Sequence, residues 1–173
     1  TSGDKVEVTE FFSYACIHCY NFDPILEDWV EENADEIDFR RTPVFTNEAW
    51  RVLATHFYTT IELGNFDEVH APFFRELHVT NRQLFSPDAI ARWIDGRGVT
   101  EARYLEMYRS QRVRARIAAA DRLQRQLRVA TVPTMVVAGK YRIRTTSDIG
   151  PKRMLEIMKH LVDKELAGRP PTT

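Results

Sequence analysis

Cys16 and Cys19 are the only two cysteines in the chain, and they stand in the tetrapeptide Cys16-Ile17-His18-Cys19. A structural disulfide stabilises mainly through the loop it removes from the unfolded ensemble. Closing so short a loop constrains almost nothing, so the pair reads as placed for chemistry. Two thiols at this spacing can carry thiol–disulfide exchange. One attacks as a thiolate, and the other closes a short disulfide that resolves the mixed intermediate. His18 lies between them and offers Cys16 a positive charge or a hydrogen bond. A stabilised thiolate favours the reduced protein and makes its disulfide the stronger oxidant, so the expected direction is disulfide donation.

Other uses of the pair compete with this one. A zinc site needs four ligands, yet there is no third cysteine, and His56, His70, His78 and His160 are scattered at non-ligand spacing. Covalent haem needs a histidine directly after the second cysteine, and Tyr20 occupies that place. Two buried, inert cysteines remain as the plain structural alternative.

The elements that position the pair follow from the hydrophobic pattern. Val6 to Phe12 interleaves apolar and polar residues and ends in two aromatics, which predicts a buried strand. Ser13 to Tyr20 is a loop running into a helix, and Phe22, Ile25, Leu26, Trp29 and Val30 then recur at helical spacing to about Asn33. Pro24 lies early in that stretch, where a kink is expected. Ile37 to Val44 is a second strand, which completes a βαβ unit with the cysteines at its loop-to-helix junction. The start of a helix favours negative charge through its unpaired N–H groups and dipole, so the first sulfur is the one whose thiolate is stabilised.

From about Thr46 to Arg128 helical patterns follow one another and no strand is convincing. Asn47 caps a helix through Ile61, with Gly64 just past its end. Phe66 to Leu77 forms another, Ser86-Pro87-Asp88 starts a third, Thr100 to Arg103 opens a fourth, and Val113 to Leu127 is a longer one. Strand character returns at Thr134 to Val137, Ala138-Gly139 signals a turn, and Tyr141 to Arg144 completes a hairpin. Gly150 to Leu166 forms a final amphipathic helix. The expected class is therefore α/β: a small sheet built as βαβ…ββα, with residues 1–45 and 130–173 forming one discontinuous domain around an all-helical insertion at 46–129.

Val132-Pro133 precedes the second strand pair. Proline is tolerated at a strand's first residue, so a plain strand-entry proline is one reading of it. The combination is more specific. EFFSYACIHCYNF, then a helical block, then VPTMVVAGKYRI resembles the DsbA family of bacterial periplasmic dithiol oxidases, in order and over nearly the whole chain. The resemblance implies a thioredoxin fold, with Cys16 as the exposed nucleophile and Cys19 as the buried resolving cysteine. It makes Pro133 the cis-proline beside the disulfide and Val132 the residue whose backbone contacts bound peptide. Ile17 and the peptide-contact loop tune substrate choice. Glu10 matches the family's buried acid beneath the active site. On its own terms Glu10 is either an exposed strand-edge glutamate or a buried charge needing a partner or a raised pKa, with Arg40 or Arg41 as the counter-charge. The commonest family motif has proline where Ile17 stands. Proline would fix φ and stiffen the loop, so this departure bears on how oxidising the pair is.

The resemblance further implies reduced, unfolded or secreted polypeptides as substrates, a DsbB-like membrane quinone-linked reoxidase as partner, a periplasmic location, and no metal or organic cofactor. No dimerisation segment is visible, and a monomer is expected. Rival functions are a reductase or isomerase kept reduced, and a peptide-binding chaperone module whose disulfide is incidental.

The remaining features exclude more than they add. A formal charge of −1 over 173 residues offers no field for nucleic acid or an anionic membrane. No apolar run approaches the roughly 20 residues that span a bilayer, and Thr1 to Asp4 carries no signal-peptide h-region. Trp50, Phe57, Phe66, Phe73, Phe74, Phe85, Trp93, Tyr104 and Tyr108 read as core of the insertion, a few of them available to an apolar groove. The arginines from Arg109 to Arg128 read as a solvated helix face, and His56, His70 and His78 as surface or interface side chains. Gly168 to Thr173 reads as a frayed end.

Overall fold

A computed structural model describes residues 5–168; the expected frayed end from residue 169 onward and the opening Thr1 to Asp4 lie outside the described residues. The chain divides into two compact units. One gathers Asn21–Thr42 with the segment ending at Phe12 and the segment beginning at Val129; the other gathers Ser13–Tyr20 with Pro43–Arg128.

The first unit is built on a four-stranded mixed sheet of β1 (Val6–Phe12), β2 (Ile37–Pro43), β3 (Thr134–Val137) and β4 (Tyr141–Arg144) in the order β2-β1-β3-β4. β1 runs antiparallel to β3 with Phe11 opposite Thr134 and Val8 opposite Val137, and β3 runs antiparallel to β4. The β3–β4 turn forms where Ala138 and Gly139 both take positive φ, at 54° and 66°. Helix α1 (Ile17–Glu32) links β1 to β2. Val6 and Val8 of β1 meet Phe22, Leu26 and Trp29 of α1, Met135 and Val137 of β3, and Met154, Met158 and Val162 of the final helix in one buried core. The apolar residues on alternate strand positions and the helical spacing of Phe22, Leu26 and Trp29 are what the sequence pattern required.

Helix α1 begins at Ile17 rather than at Tyr20, because the chain is helical from the first residue after Cys16. It runs unbroken through Pro24, whose missing N–H removes one helical bond without ending the helix.

The second unit contains α2 (Glu48–Leu63), α3 (Phe66–His78), α4 (Pro87–Ile94), α5 (Glu101–Tyr108) and α6 (Gln111–Gln126). Each of the expected caps forms. Asn47 accepts a hydrogen bond from the Trp50 N–H, Gly64 ends α2 at φ 76°, and Ser86 caps α4 with Pro87 in the first turn. Thr100 caps α5 in the same way, and Ser110, which the sequence pattern did not single out, caps α6, which starts at Gln111 rather than Val113. Leu53, Phe57, Phe73, Phe74, Ile90, Ile94 and Tyr104 are buried as core, and the arginines of α6 are exposed.

Two expectations fail here. His56 and His70 are buried among the aromatic rings of the helical unit, not on its surface. Phe85 is exposed, because it lies in the irregular segment before α4 and not on a packed helix face. The final helix, α7 (Pro151–Ala167), packs on the sheet in the first unit. Among the described residues no helix is long and apolar enough to cross a membrane.

Candidate active site

The CxxC segment belongs to the helical unit. Beyond Phe12 the chain turns with the Cys16 N–H bonded to the Ser13 carbonyl and the Ala15 N–H bonded to the Ser13 hydroxyl. The helix then starts, and the Tyr20 N–H closes its first turn on the Cys16 carbonyl. This geometry makes Cys16 the residue just ahead of α1. Cys16 is partly exposed and Cys19 is buried, both in the thiol state, 3.4 Å apart.

The surroundings of Cys16 favour its thiolate. The Cys19 thiol donates to the Cys16 sulfur, the backbone N–H groups of Cys19 and His18 point at it, and the His18 charge adds attraction. The hydrogen bond from Cys19 is the largest of these effects, and partial burial opposes them. The result pulls the Cys16 pKa from 9.0 down to about 6. Charge-assisted donors at a helix start act in this direction because the first-turn N–H groups have no helical partner. At neutral pH Cys16 is therefore mostly thiolate, the species that attacks a disulfide, while its low basicity also makes it a good leaving group. Ile17 and His18 both face solvent, with Ile17 46% exposed.

The helical unit also supplies partners that the sequence did not single out. Tyr14, almost fully buried, hydrogen-bonds His70 Nδ1 through its hydroxyl at 2.7 Å. Its carbonyl accepts from His78 Nε2 at 2.7 Å. The ring of Tyr20 stacks on His78, with centroids 5.2 Å apart and planes 18° apart.

In the sheet unit, Glu10 is buried on β1 and bonded to the Nε of Arg41 at 2.9 Å. The same guanidinium reaches Asp23 at 3.2 Å and also pairs with Glu27. Arg41 is thus the inward counter-charge, and Arg40 faces solvent beside Asp38 and Glu7. Burial pushes the Glu10 carboxyl up to about 7, with Arg41 opposing and Asp23 reinforcing the rise. Val132–Pro133 is a cis peptide. Pro133 is buried and Val132 half-buried, one and two residues ahead of Thr134, which pairs with Phe11 near the end of β1. The four residues from Cys16 to Cys19 are therefore brought together by one segment of the helical unit, while Glu10, Val132 and Pro133 belong to the sheet unit.

Comparison with known proteins gives this geometry a family. The DSBA-like thioredoxin domain matches residues 34–159, a span that begins after the cysteines. The thiol:disulfide interchange protein DsbA of Pseudomonas aeruginosa is 34% identical over 164 residues, 95% of this chain and 78% of that protein. The DsbA of Azotobacter vinelandii is 32% identical over 165 residues, 95% and 77% of the two chains. A crystal structure of a P. aeruginosa DsbA variant superposes with a TM-score of 0.92 at 34% identity, covering 97% of this chain and 91% of that one. The oxidoreductase DsbA of Xylella fastidiosa gives 0.89 at 28% identity, over 96% and 89%. Those alignments reach across the cysteine segment as well as the helices, and the chain belongs to the DSBA-like thioredoxin domain family of thiol:disulfide oxidoreductases.

Proposed function

We propose that the chain is a protein dithiol oxidase that donates a Cys16–Cys19 disulfide to reduced polypeptides during oxidative folding. A substrate thiolate attacks the Cys16 sulfur, the Cys16–Cys19 bond breaks, and Cys19 leaves with the electron pair. A second substrate thiolate then attacks the substrate sulfur of the mixed disulfide, and Cys16 leaves as its thiolate. The substrate has lost two electrons and gained a disulfide; the enzyme holds two thiols. The observation that carries this reading is the set of donors on Cys16 from His18 and Cys19, which lowers its pKa to about 6. A stabilised Cys16 leaving group drives the second step toward oxidised substrate.

Within this reading Cys16 is the exchanging sulfur, Cys19 resolves, and His18 supports the Cys16 thiolate. Ile17, Val132 and Pro133 contact the substrate peptide, the exposed Ile17 supplying apolar surface. Glu10, titrating near neutrality in its buried cluster, modulates proton traffic at the reduced pair. Action on secreted polypeptides places the protein in the periplasm as a monomer, with a DsbB-like quinone-linked membrane protein as its reoxidant.

The test is the reduction potential of the pair, determined by equilibration in glutathione buffers. DsbA, near about −120 mV, and thioredoxin, near about −270 mV, are the reference behaviours. A value more oxidising than about −180 mV is expected. A value near that of thioredoxin reverses the direction of electron flow and makes the chain a reductase. Cys16→Ser must also abolish oxidation of a reduced peptide; retained peptide affinity with no thiol turnover in the parent would instead indicate a binding module.

A further inference from the structure

Two tyrosines bracket the CxxC segment: Tyr14 stands two residues before Cys16, and Tyr20 directly follows Cys19. Both are held by one face of α3. His70, Phe74 and His78 recur there at i, i+4 and i+8, so their side chains form a single row. His70 bonds the Tyr14 hydroxyl at 2.7 Å, and Phe74 meets the Tyr14 ring edge-on with centroids 4.8 Å apart. His78 does two things at once. Its Nε2–H donates to the Tyr14 carbonyl at 2.7 Å, and its ring lies 5.2 Å from that of Tyr20 and nearly parallel to it. One imidazole therefore fixes the backbone on the entry side of the segment and a side chain on its exit side.

This matters because the N–H groups that reach Cys16 belong to His18 and Cys19, inside the bracketed stretch. Their value depends on aim: hydrogen bonds weaken steeply as the donor angle falls. A first helical turn free to fray would point them elsewhere, since helix termini are the least constrained part of a helix. We propose that His78, backed by His70 on the same face of α3, is a positioning residue that clasps Tyr14 and Tyr20 and thereby holds the first turn of α1 with its N–H groups on Cys16. His78 touches neither sulfur nor substrate in this role. A histidine suits the position because a carbonyl requires a donor and a tyrosine ring requires a flat partner. Phenylalanine would keep only the ring, and glutamine only the donor.

The inference rests on Cys16 being the stabilised thiolate of the proposed oxidase. The experiment uses the full chain as parent, His78→Ala, His78→Phe and His78→Gln, with Val113→Ala as a control. Val113 is fully buried on α6 in the same unit and is remote in sequence from the clasp. For each protein the Cys16 pKa is read from thiolate absorbance at about 240 nm, and the equilibrium constant with glutathione and the melting temperature are measured. His78→Ala is expected to raise the Cys16 pKa by about one unit and to shift the glutathione equilibrium about tenfold toward the disulfide, which is about 30 mV. His78→Phe and His78→Gln should each recover part of that shift. Val113→Ala should lower the melting temperature and leave both redox readouts in place. An unchanged pKa and equilibrium in all three His78 variants overturns the clasp, as does an equal shift in Val113→Ala. A parent without a low Cys16 pKa sinks the oxidase reading itself, a result separable from a normal parent whose His78 variants do not respond.

Discussion

The Cys16 thiolate should make the stability of the reduced protein depend on pH, in a window and with a sign that the geometry fixes. The folded pKa of about 6 lies below the unfolded value of 9.0. A thiol depressed in this way contributes stability that is complete above the unfolded pKa and is lost as pH falls through the folded one. Integrating between pH 5 and pH 8 gives about 2.6 kcal/mol for the full shift. Cys16 is only half-buried, so solvent screens its donors, and about half that figure, 1–2 kcal/mol, is expected in practice.

The assay is urea unfolding of the reduced parent and of reduced Cys16→Ala at several pH values across that window. Other titrating groups are common to both proteins and cancel in the difference between the curves. For a protein of this size 1–2 kcal/mol moves the urea midpoint by roughly 0.5–1 M. The midpoint difference, parent minus variant, should therefore rise with pH above about pH 6. The oxidised parent should lack the effect because its Cys16 cannot ionise. By the thermodynamic cycle that joins folding to reduction, the same 1–2 kcal/mol makes the disulfide more oxidising by about 20–40 mV. Parallel pH curves for the parent and Cys16→Ala would refute the reasoning, whatever the measured potential.

Three further outcomes follow from buried charge. Glu10, raised from 4.5 to about 7 by burial, contributes stability that is complete below its unfolded pKa and is lost as pH rises through about 7. Glu10→Gln should therefore stabilise the protein by roughly 1–3 kcal/mol at pH 8 and by little at pH 4, as read from denaturant midpoints. Arg41→Met removes the guanidinium paired with both Glu10 and Asp23; the loss of that charge beside two buried carboxylates should cost about 3–5 kcal/mol at pH 7, measured by thermal or urea unfolding, with part recovered in the double variant with Glu10→Gln. His56 is held neutral by burial, its pKa lowered from 6.5 to about 3. The His56 contribution to stability should thus fall by about 2 kcal/mol between pH 7.5 and pH 5, read as the difference between the parent and His56→Phe across that range.

What could be seen in the sequence was local, and what could not was set by distant partners. The caps at Asn47, Ser86 and Thr100 follow from a side chain and an N–H three residues away, so the residues alone settle them. The same holds for the CxxC spacing and for the Ala138-Gly139 turn. Arg40 and Arg41 show the limit. Strand alternation puts them on opposite faces of β2, but only the position of Glu10 and Asp23 decides which face is inward. His56 and His70 fail for the same reason. Their burial depends on Tyr104 and Tyr14, 48 and 56 residues away in the chain, and a lone histidine carries no signal of that. A row at i, i+4 and i+8 was present in His70, Phe74 and His78, yet a row of mixed type names no target until the facing residues are known.

Ile17 brings these scales together. Set against the commoner family motif it is a departure at the centre of the active segment, where proline would supply stiffness and no N–H. The donors on Cys16 include the Cys19 thiol and the N–H groups of Cys19 and His18. Position 17 is the first residue of α1, where proline is tolerated because a first-turn N–H has no helical partner. What isoleucine changes is backbone freedom and surface: it leaves φ unfixed beside the reacting sulfur and presents a 46% exposed apolar side chain there. With the ring of a proline absent, the orientation of the first turn falls to contacts outside the tetrapeptide. The bonds from α3 to Tyr14 and the stack on Tyr20 are placed to provide them.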